Sequence, residues 1–260
     1  MSNDIILTPA EIEEIKRINE WPIQEKSNPI YPEYDGFTGI LIGTGPSIND
    51  EQLKLVESYR KLDKCRVFTI NNAYEKAHFS DVHFSGDGSW WQLYYPRVES
   101  LRNHKANKYT WYPEVARRFN INYIAGALRK DGLSFDPSII HINGSGPSSI
   151  NLALHYGIKK LLLIGHDMKY ASDYDGRNRR TGSTPRHYFS EYPEPLQQWP
   201  KVGVGDSAPG VLDCLIKIYK RMSHDLEKTG MDVINCTPGS ALTVFPMSDL
   251  EAEIGCVHHP

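Results

Sequence analysis

Thr38-Gly39-Ile40-Leu41-Ile42, followed by Gly43-Thr44-Gly45-Pro46-Ser47, is the stretch whose reading decides the fold. The first five residues are an apolar run without polar alternation, which predicts a strand buried on both faces. Beyond the turn, Asp50-Glu51-Gln52-Leu53-Lys54-Leu55-Val56 reads as a helix. A strand, a glycine turn and a helix in that order aim free backbone N–H groups at an anion. The two glycines let the main chain approach a ligand, Pro46 stiffens the turn, and Ser47 or Asn49 can cap the helix. The ligand that suits such a turn is a nucleotide phosphate; the plain alternative is a tight turn with no ligand. G-x-G-P-S is neither a full dinucleotide fingerprint nor a P-loop, because no lysine follows the second glycine.

Apolar runs and helical patterns alternate through the rest of the chain. Cys65–Ile70, Asp81–Ser85, Ser138–Ile142, Lys160–Ile164 and Asp232–Asn235 read as strands, with shorter candidates at Lys108–Trp111 and Ile121–Ile124. Helical stretches are expected at about 89–101, from Ser148 to Tyr156, and at about 209–228. This pattern predicts an α/β fold, Rossmann-like and doubly wound, with a mainly parallel sheet covered by helices on both faces. Gly43–Ser47, Asn71-Asn72, Gly86-Asp87, Asn143–Ser149, Gly165–Asp167 and Thr237–Ser240 each follow a predicted strand. In a parallel sheet they gather at one rim, where ligands bind. Residues 1–36 read as an N-terminal helical appendage and linker, with a capping box at Thr8-Pro9-Ala10-Glu11. Residues 37–254 form the catalytic domain and 255–260 a tail. Residues 170–207 are a long polar loop of the kind that serves as a lid.

Composition bounds the function. The chain has 260 residues, 40% hydrophobic and 23% charged, with a formal net charge of -3. That is ordinary for a globular protein, and no global field favours nucleic acid. A nucleic-acid acceptor stays open but gains nothing from the charge. The longest apolar runs are too short to span a bilayer, and no signal peptide is apparent. Cys65, Cys214, Cys236 and Cys256 are scattered, which suits a reducing cytoplasm and gives no zinc site. The histidines have no metal-ligand spacing. Tyrosines (15) and tryptophans (5) are numerous; aromatic faces in the loops can hold a base or sugar, or are simply half-buried surface residues.

The rim motifs offer specific chemistry, each with a structural alternative. Asn143-Gly144-Ser145-Gly146-Pro147-Ser148-Ser149 resembles the first glycine turn; its amides and the hydroxyls of Ser145, Ser148 and Ser149 can hold a second phosphate or a ribose, or merely cap a helix. Asn71 and Asn72 can read a base edge or a ribose, or cap a short helix. Asp167, at the end of the most apolar strand, can bind a ribose hydroxyl, orient an acceptor or hold a divalent cation, whereas His166 is structural. Asp87 is a second carboxylate, or the cap of the helix carrying Trp90 and Trp91. The lid holds Arg177, Arg179, Arg180, Arg186, Tyr170, Tyr174, His187 and Tyr188, suited to a departing phosphate.

Gly43-Thr-Gly-Pro-Ser-Ile, Asn71, Trp90-Trp-Gln-Leu-Tyr-Tyr, Ser145-Gly146 and Gly165-His-Asp167 stand in the order seen in bacterial family 42 sialyltransferases, which this chain resembles over about residues 38–253. Asn235-Cys-Thr-Pro-Gly-Ser-Ala resembles the related group containing the archaeal 6-hydroxymethyl-dihydropterin pyrophosphokinase. The first resemblance implies a cytidine nucleotide-sugar donor, a hydroxyl acceptor and no obligatory metal. Carried over, Thr44, Gly45, Pro46 and Ser47 meet the nucleotide phosphate and ribose, Asn71 the donor, Ser145 its phosphate or sugar, and Asp167 the ribose. The family's lid tyrosines and histidine base fall one residue away from Tyr170 and Tyr174 and on Gly203–Ser207, so Asp206 or His187 takes the base role. The second resemblance implies Mg²⁺ near Asp87 and Asp167 and pyrophosphoryl transfer to a hydroxymethylpterin-like molecule. A nucleotide-binding protein without catalysis is the third reading. The oligomeric state is not legible.

Overall fold

The described residues of the computed structural model are 8–18, 24–127, 132–169 and 211–255. Their strands are β1 (Thr38–Ile42), β2 (Cys65–Ile70), β3 (Val82–Phe84), β4 (Asn107–Thr110), β5 (Asn122–Tyr123), β6 (Ala125–Ala127), β7 (Ile139–His141), β8 (Lys160–Ile164) and β9 (Asp232–Asn235). Seven of them make one sheet in the order β5-β4-β3-β2-β1-β8-β9, and every pairing is parallel. The chain winds one way from β1 to β5, then returns to the other side of β1 through β8. The β1–β8 boundary is therefore the switch point, where α/β sheets open a crevice.

The helices are α1 (Pro9–Ile18), α2 (Asp50–Lys61), α3 (Gly88–Tyr94), α4 (Glu99–Asn103), α5 (Pro113–Phe119), α6 (Ser145–His155), α7 (Val211–Leu226) and α8 (Leu250–Ile254), with a 3₁₀ turn at Asn71–Glu75. Two faces explain the unalternating strands. Leu41, Leu161 and Leu163 point into a core with Ile150 and Leu152 of α6 and Tyr219 and Met222 of α7. Ile40, Ile42, Leu162 and Ile164 point the other way, onto Leu53 and Val56 of α2 and Leu250 and Ile254 of α8. A strand buried on both sides has no use for a polar residue at every second position.

Three expectations need correction. The single helix expected at 89–101 is two, α3 and α4, because Pro96 cannot donate to the preceding turn and its ring crowds it. The strand expected at Ile121–Ile124 is the short β5, followed by β6. The strand expected at Ser138–Ile142 does not join the main sheet; β7 pairs with β6 in a separate two-stranded parallel sheet.

The described part of 1–36 is fastened along its length to the rest of the domain. Thr8 and Glu11 form the expected capping box, with Thr8 N–H donating to Glu11 Oε2 at 2.8 Å. Glu11 pairs with Arg97, Glu14 with Arg118 and Glu25 with Arg117. Ser27 Oγ donates to Ser138 O and accepts from the Ala125 amide, bridging β6 to the residue before β7. Tyr34 stacks on Tyr156 with centroids 4.6 Å apart.

Candidate functional site

The strand registers place the predicted motifs. Ile42 lies beside Thr69 and Ile164, and Ile70 beside Phe84. The loops after β1, β2, β3 and β8 therefore leave the sheet at one level and share one rim.

At the switch point the β1 and β8 turns are zipped together. The Gly43 amide donates to Ile164 O at 2.8 Å and the Gly45 amide to Gly165 O at 2.9 Å. Ser47 donates twice to Asp167, from its amide to Oδ1 at 3.2 Å and from its hydroxyl to Oδ2 at 2.8 Å. Asp167 sits so close to Gly45 that a Cβ there would lie 1.8 Å from Oδ2, so only glycine fits. This corrects the expected role of the Gly43–Ser47 turn: the amides of Gly43, Gly45 and Ser47 are spent on the neighbouring turn, and its anion is the protein's own carboxylate. Thr44 is buried in the seam and Pro46 is half-buried beside it. Asn49, not Ser47, caps α2, its Oδ1 accepting from the Gln52 amide. Asp167 is 8% exposed. Burial raises its pKa, and the Ser47 hydroxyl and amide oppose that shift. With both oxygens on Ser47, Asp167 is a clamp between two turns rather than a free cation ligand or ribose hook.

The second glycine turn is open. Gly144 sits at φ +95°, a conformation glycine adopts and other residues resist, and it turns the chain from β7 into α6. Among the described residues the Ser145 and Gly146 amides have no acceptor, and Pro147 has no N–H to give. Ser145 Oγ donates to Asn71 Oδ1 at 3.2 Å and accepts from the Gly86 amide at 3.1 Å. One hydroxyl thus joins the ends of β2 and β3 to the start of α6, with Asn71 held at φ +46° for the purpose. The Ser148 and Ser149 hydroxyls are not available as expected: they donate to His141 O and Ser145 O.

Behind this tie the aromatic helix α3 is a wall. Trp90 and Trp91 are 1% and 0% exposed, and their indole N–H groups donate to Asn72 Oδ1 at 2.7 Å and Ser85 O at 3.0 Å. The Oδ1 of Asn72 is therefore engaged by Trp90, and both tryptophan rings are sealed from the surface. Gly86 lies flat on Trp111, where a Cβ would come within 2.4 Å of the indole. Asp87 holds the cap position of α3 yet accepts no capping hydrogen bond. It is half-buried, and burial pushes its carboxyl up to about 6. Tyr112 lies near enough to feel that charge, and its hydroxyl is itself raised to about 12, by burial first and by Asp87 second.

Below Gly146 are two buried polar atoms, His166 Nε2 and Tyr219 Oη, that have no hydrogen-bond partner among the described residues. His166 is held by its Nδ1 against Ile164 O and by its amide on Thr237 Oγ1, and burial lowers its pKa to about 4. It is a neutral structural residue, as expected. Tyr170, Tyr174, His187 and Asp206, with the whole lid segment, lie outside the described residues. Asn71, Gly86, Asp87, Ser145 and Gly146 are the predicted residues that the structure brings together as a candidate site. Gly86 stands at the rim as the sequence predicts; what the sequence does not reveal is that its amide ties β3 to Ser145.

No family model matches this chain, and no curated protein matches it. Among solved structures it is similar to the MAf glycosyltransferase from Magnetospirillum magneticum AMB-1, with a TM-score of 0.52 and 13% sequence identity. The match covers 96% of this chain and 39% of that one, so this chain spans well under half the length of that protein. The likeness confirms the Rossmann-like α/β fold. No described helix is long and apolar enough to cross a membrane.

Proposed function

We propose that this protein is a glycosyltransferase that moves a sugar from a nucleotide-activated donor to a hydroxyl acceptor. The observation that carries this reading is the three-loop tie at the rim, where Ser145 gathers Asn71, Gly86 and the uncapped start of α6 beside the sheet's switch point. Two unspent amides on an 11-residue helix supply a seat for a phosphate. The half-buried Asn71 beside it offers amide chemistry to a sugar or ribose. The glycosyltransferase fold of the structural neighbour, and the resemblance to family 42 sialyltransferases, support the class and favour a cytidine-linked donor. The lid tyrosines Tyr170 and Tyr174 are assigned to the departing phosphate.

The donor phosphate sits on the Ser145 and Gly146 amides, and its charge is stabilised there as the bond to the sugar breaks. No observation favours the Mg²⁺-dependent pyrophosphokinase reading: among the described residues no group of three or more His, Cys, Asp or Glu side chains is gathered to hold a metal ion, and Asp167 already accepts from Ser47 at both oxygens. A thermal-shift panel of CMP-, UDP-, GDP- and ADP-linked sugars and ATP, each with and without Mg²⁺, tests the class. A donor at 100 times its dissociation constant is expected to stabilise the fold by about 2.7 kcal/mol. A shift with ATP and Mg²⁺ alone would replace this reading with the kinase one, and no shift with any nucleotide-sugar would end it.

A further inference from the structure

We infer that Asp87 is the general base that takes the proton from the acceptor hydroxyl in this glycosyl transfer. The inference rests on the glycosyltransferase reading and adds the residue that starts the reaction.

Among the described residues Asp167, Glu75 and Asp87 are the carboxylates on the loops that leave the rim, and Glu75 accepts from Asn72 Nδ2 and Tyr74 Oη. Asp167 has both oxygens engaged by Ser47 and is pressed onto Gly45. Asp87 directly follows Gly86, whose amide is 3.1 Å from Ser145 Oγ, so its backbone is one residue from the tie that starts α6. Although it occupies a helix cap, its carboxylate takes no hydrogen bond from the α3 amides. A capping aspartate normally spends its oxygens this way. Its amide leans on Ser85 Oγ, and Trp91 N–H donates to its carbonyl, so the backbone is held while the side chain is left over.

The groups around it leave that carboxylate without a counter-charge. Tyr112, before α5, is the titratable neighbour. Burial alone accounts for its shift, and no lysine, arginine or histidine of the described residues adds to it. A carboxyl raised to about 6 is ionised at neutral pH and far more basic than an ordinary one, the compromise a general base needs. An ion-paired structural aspartate would be shifted the opposite way.

In the step, the acceptor O–H gives its proton to a carboxylate oxygen of Asp87. The acceptor oxygen uses the freed electron pair to bond to the anomeric carbon. The bond from that carbon to the donor phosphate oxygen breaks, and its electron pair leaves on the phosphate, which rests at the start of α6. Asp87 then returns its proton to solvent. Water in the acceptor's place gives donor hydrolysis by the same bookkeeping of atoms.

The test measures release of free sugar from CMP-, UDP-, GDP- and ADP-linked donors by the full chain, alongside donor binding by thermal shift. Asp87→Asn is expected to bind donor as the wild type does and to lose about 10²–10⁴-fold in kcat. Wild-type kcat is expected to fall below a pH of about 6, and the residual activity of Asp87→Asn to lack that limb. A merely structural aspartate would not carry the pH limb. Asp206→Asn and His187→Gln are run beside it. Wild-type turnover with Asp87→Asn unchanged, or loss of the acidic limb in either of the other two variants, overturns the inference and leaves the glycosyltransferase reading intact. Absence of both donor binding and sugar release in the wild type overturns that reading, and the inference with it.

Discussion

Gly43-Thr44-Gly45-Pro46-Ser47 and Gly144-Ser145-Gly146-Pro147-Ser148 follow the same G-x-G-P-S pattern, and each joins a strand to a helix. Their surroundings differ. The first leaves β1, which has β8 at its side, and the β8 turn presents Gly165 O and the Asp167 carboxylate at hydrogen-bond distance. The second leaves β7, which pairs with β6 in a separate two-stranded sheet, and among the described residues no acceptor meets its Ser145 and Gly146 amides. One turn is consequently closed on itself as a seam, and the other keeps its amides for something else. A glycine turn becomes an anion seat only where the adjacent strand does not supply the anion.

The largest effect expected from this contrast is on stability. A Cβ at Gly43 would lie 2.4 Å from the backbone oxygen of Gly165, which cannot move without opening the seam. Gly43→Ala is expected to cost about 3 kcal/mol and to lower the melting temperature by roughly 6–12 °C. A Cβ at Gly146 would meet the hydroxyl of the buried Tyr219 at 2.3 Å, a side chain rather than main chain, so Gly146→Ala is expected to cost less, about 2 kcal/mol. Equal losses in calorimetry would erase the distinction between the two turns.

The paired serines sharpen it. Ser47→Ala removes both a hydroxyl donor to a buried carboxylate and the reason that carboxylate is held, at a cost of about 2 kcal/mol in urea unfolding. Ser145→Ala is expected to change stability by under about 1 kcal/mol and to weaken donor binding about tenfold, which is about 1.4 kcal/mol. If Ser47→Ala weakens binding and Ser145→Ala only destabilises, the assignments are reversed.

The smallest effect concerns Asp87 and depends on pH. Burial raises its carboxyl from 3.8 to about 6, so the fold disfavours the charged form relative to the unfolded chain. The penalty is fully present above a pH of about 6 and disappears below about 4. Asp87→Asn is therefore expected to stabilise the protein by about 1 kcal/mol near neutral pH, allowing for solvent around a half-buried group. Urea midpoints of variant and wild type should converge as pH falls through that window. A constant gap would mean that the carboxylate is not penalised by burial.

Much of the fold was legible because burial on two faces leaves an unmistakable mark. Thr38–Ile42 and Lys160–Ile164 have no polar alternation, and both are central strands with one set of side chains on α6 and α7 and the other on α2 and α8. What escaped the sequence was neighbour identity. Nothing local in Ser138–Ile142 says that β7 stays out of the main sheet, and nothing in Gly43–Ser47 says that Asp167 arrives to use its donors. The same limit applied to the paired amides and aromatics: Asn72 reads as a ligand contact until the Trp90 indole is found on it. Ser145 stands out in the sequence as a hydroxyl in a glycine turn, but its partners Asn71 and Gly86 are joined to it by tertiary geometry alone.

The contact between Gly86 and Trp111 also furnishes a measuring device. Indole emission follows the polarity around the ring, and this ring touches the glycine whose amide holds Ser145. Trp90 and Trp91 are sealed behind it, and Trp21→Phe with Trp199→Phe leaves Trp111 as the remaining reporter among the chain's five tryptophans. Occupancy of the rim thus has an optical signature native to the chain, readable by fluorescence without a dye or a radiolabelled sugar.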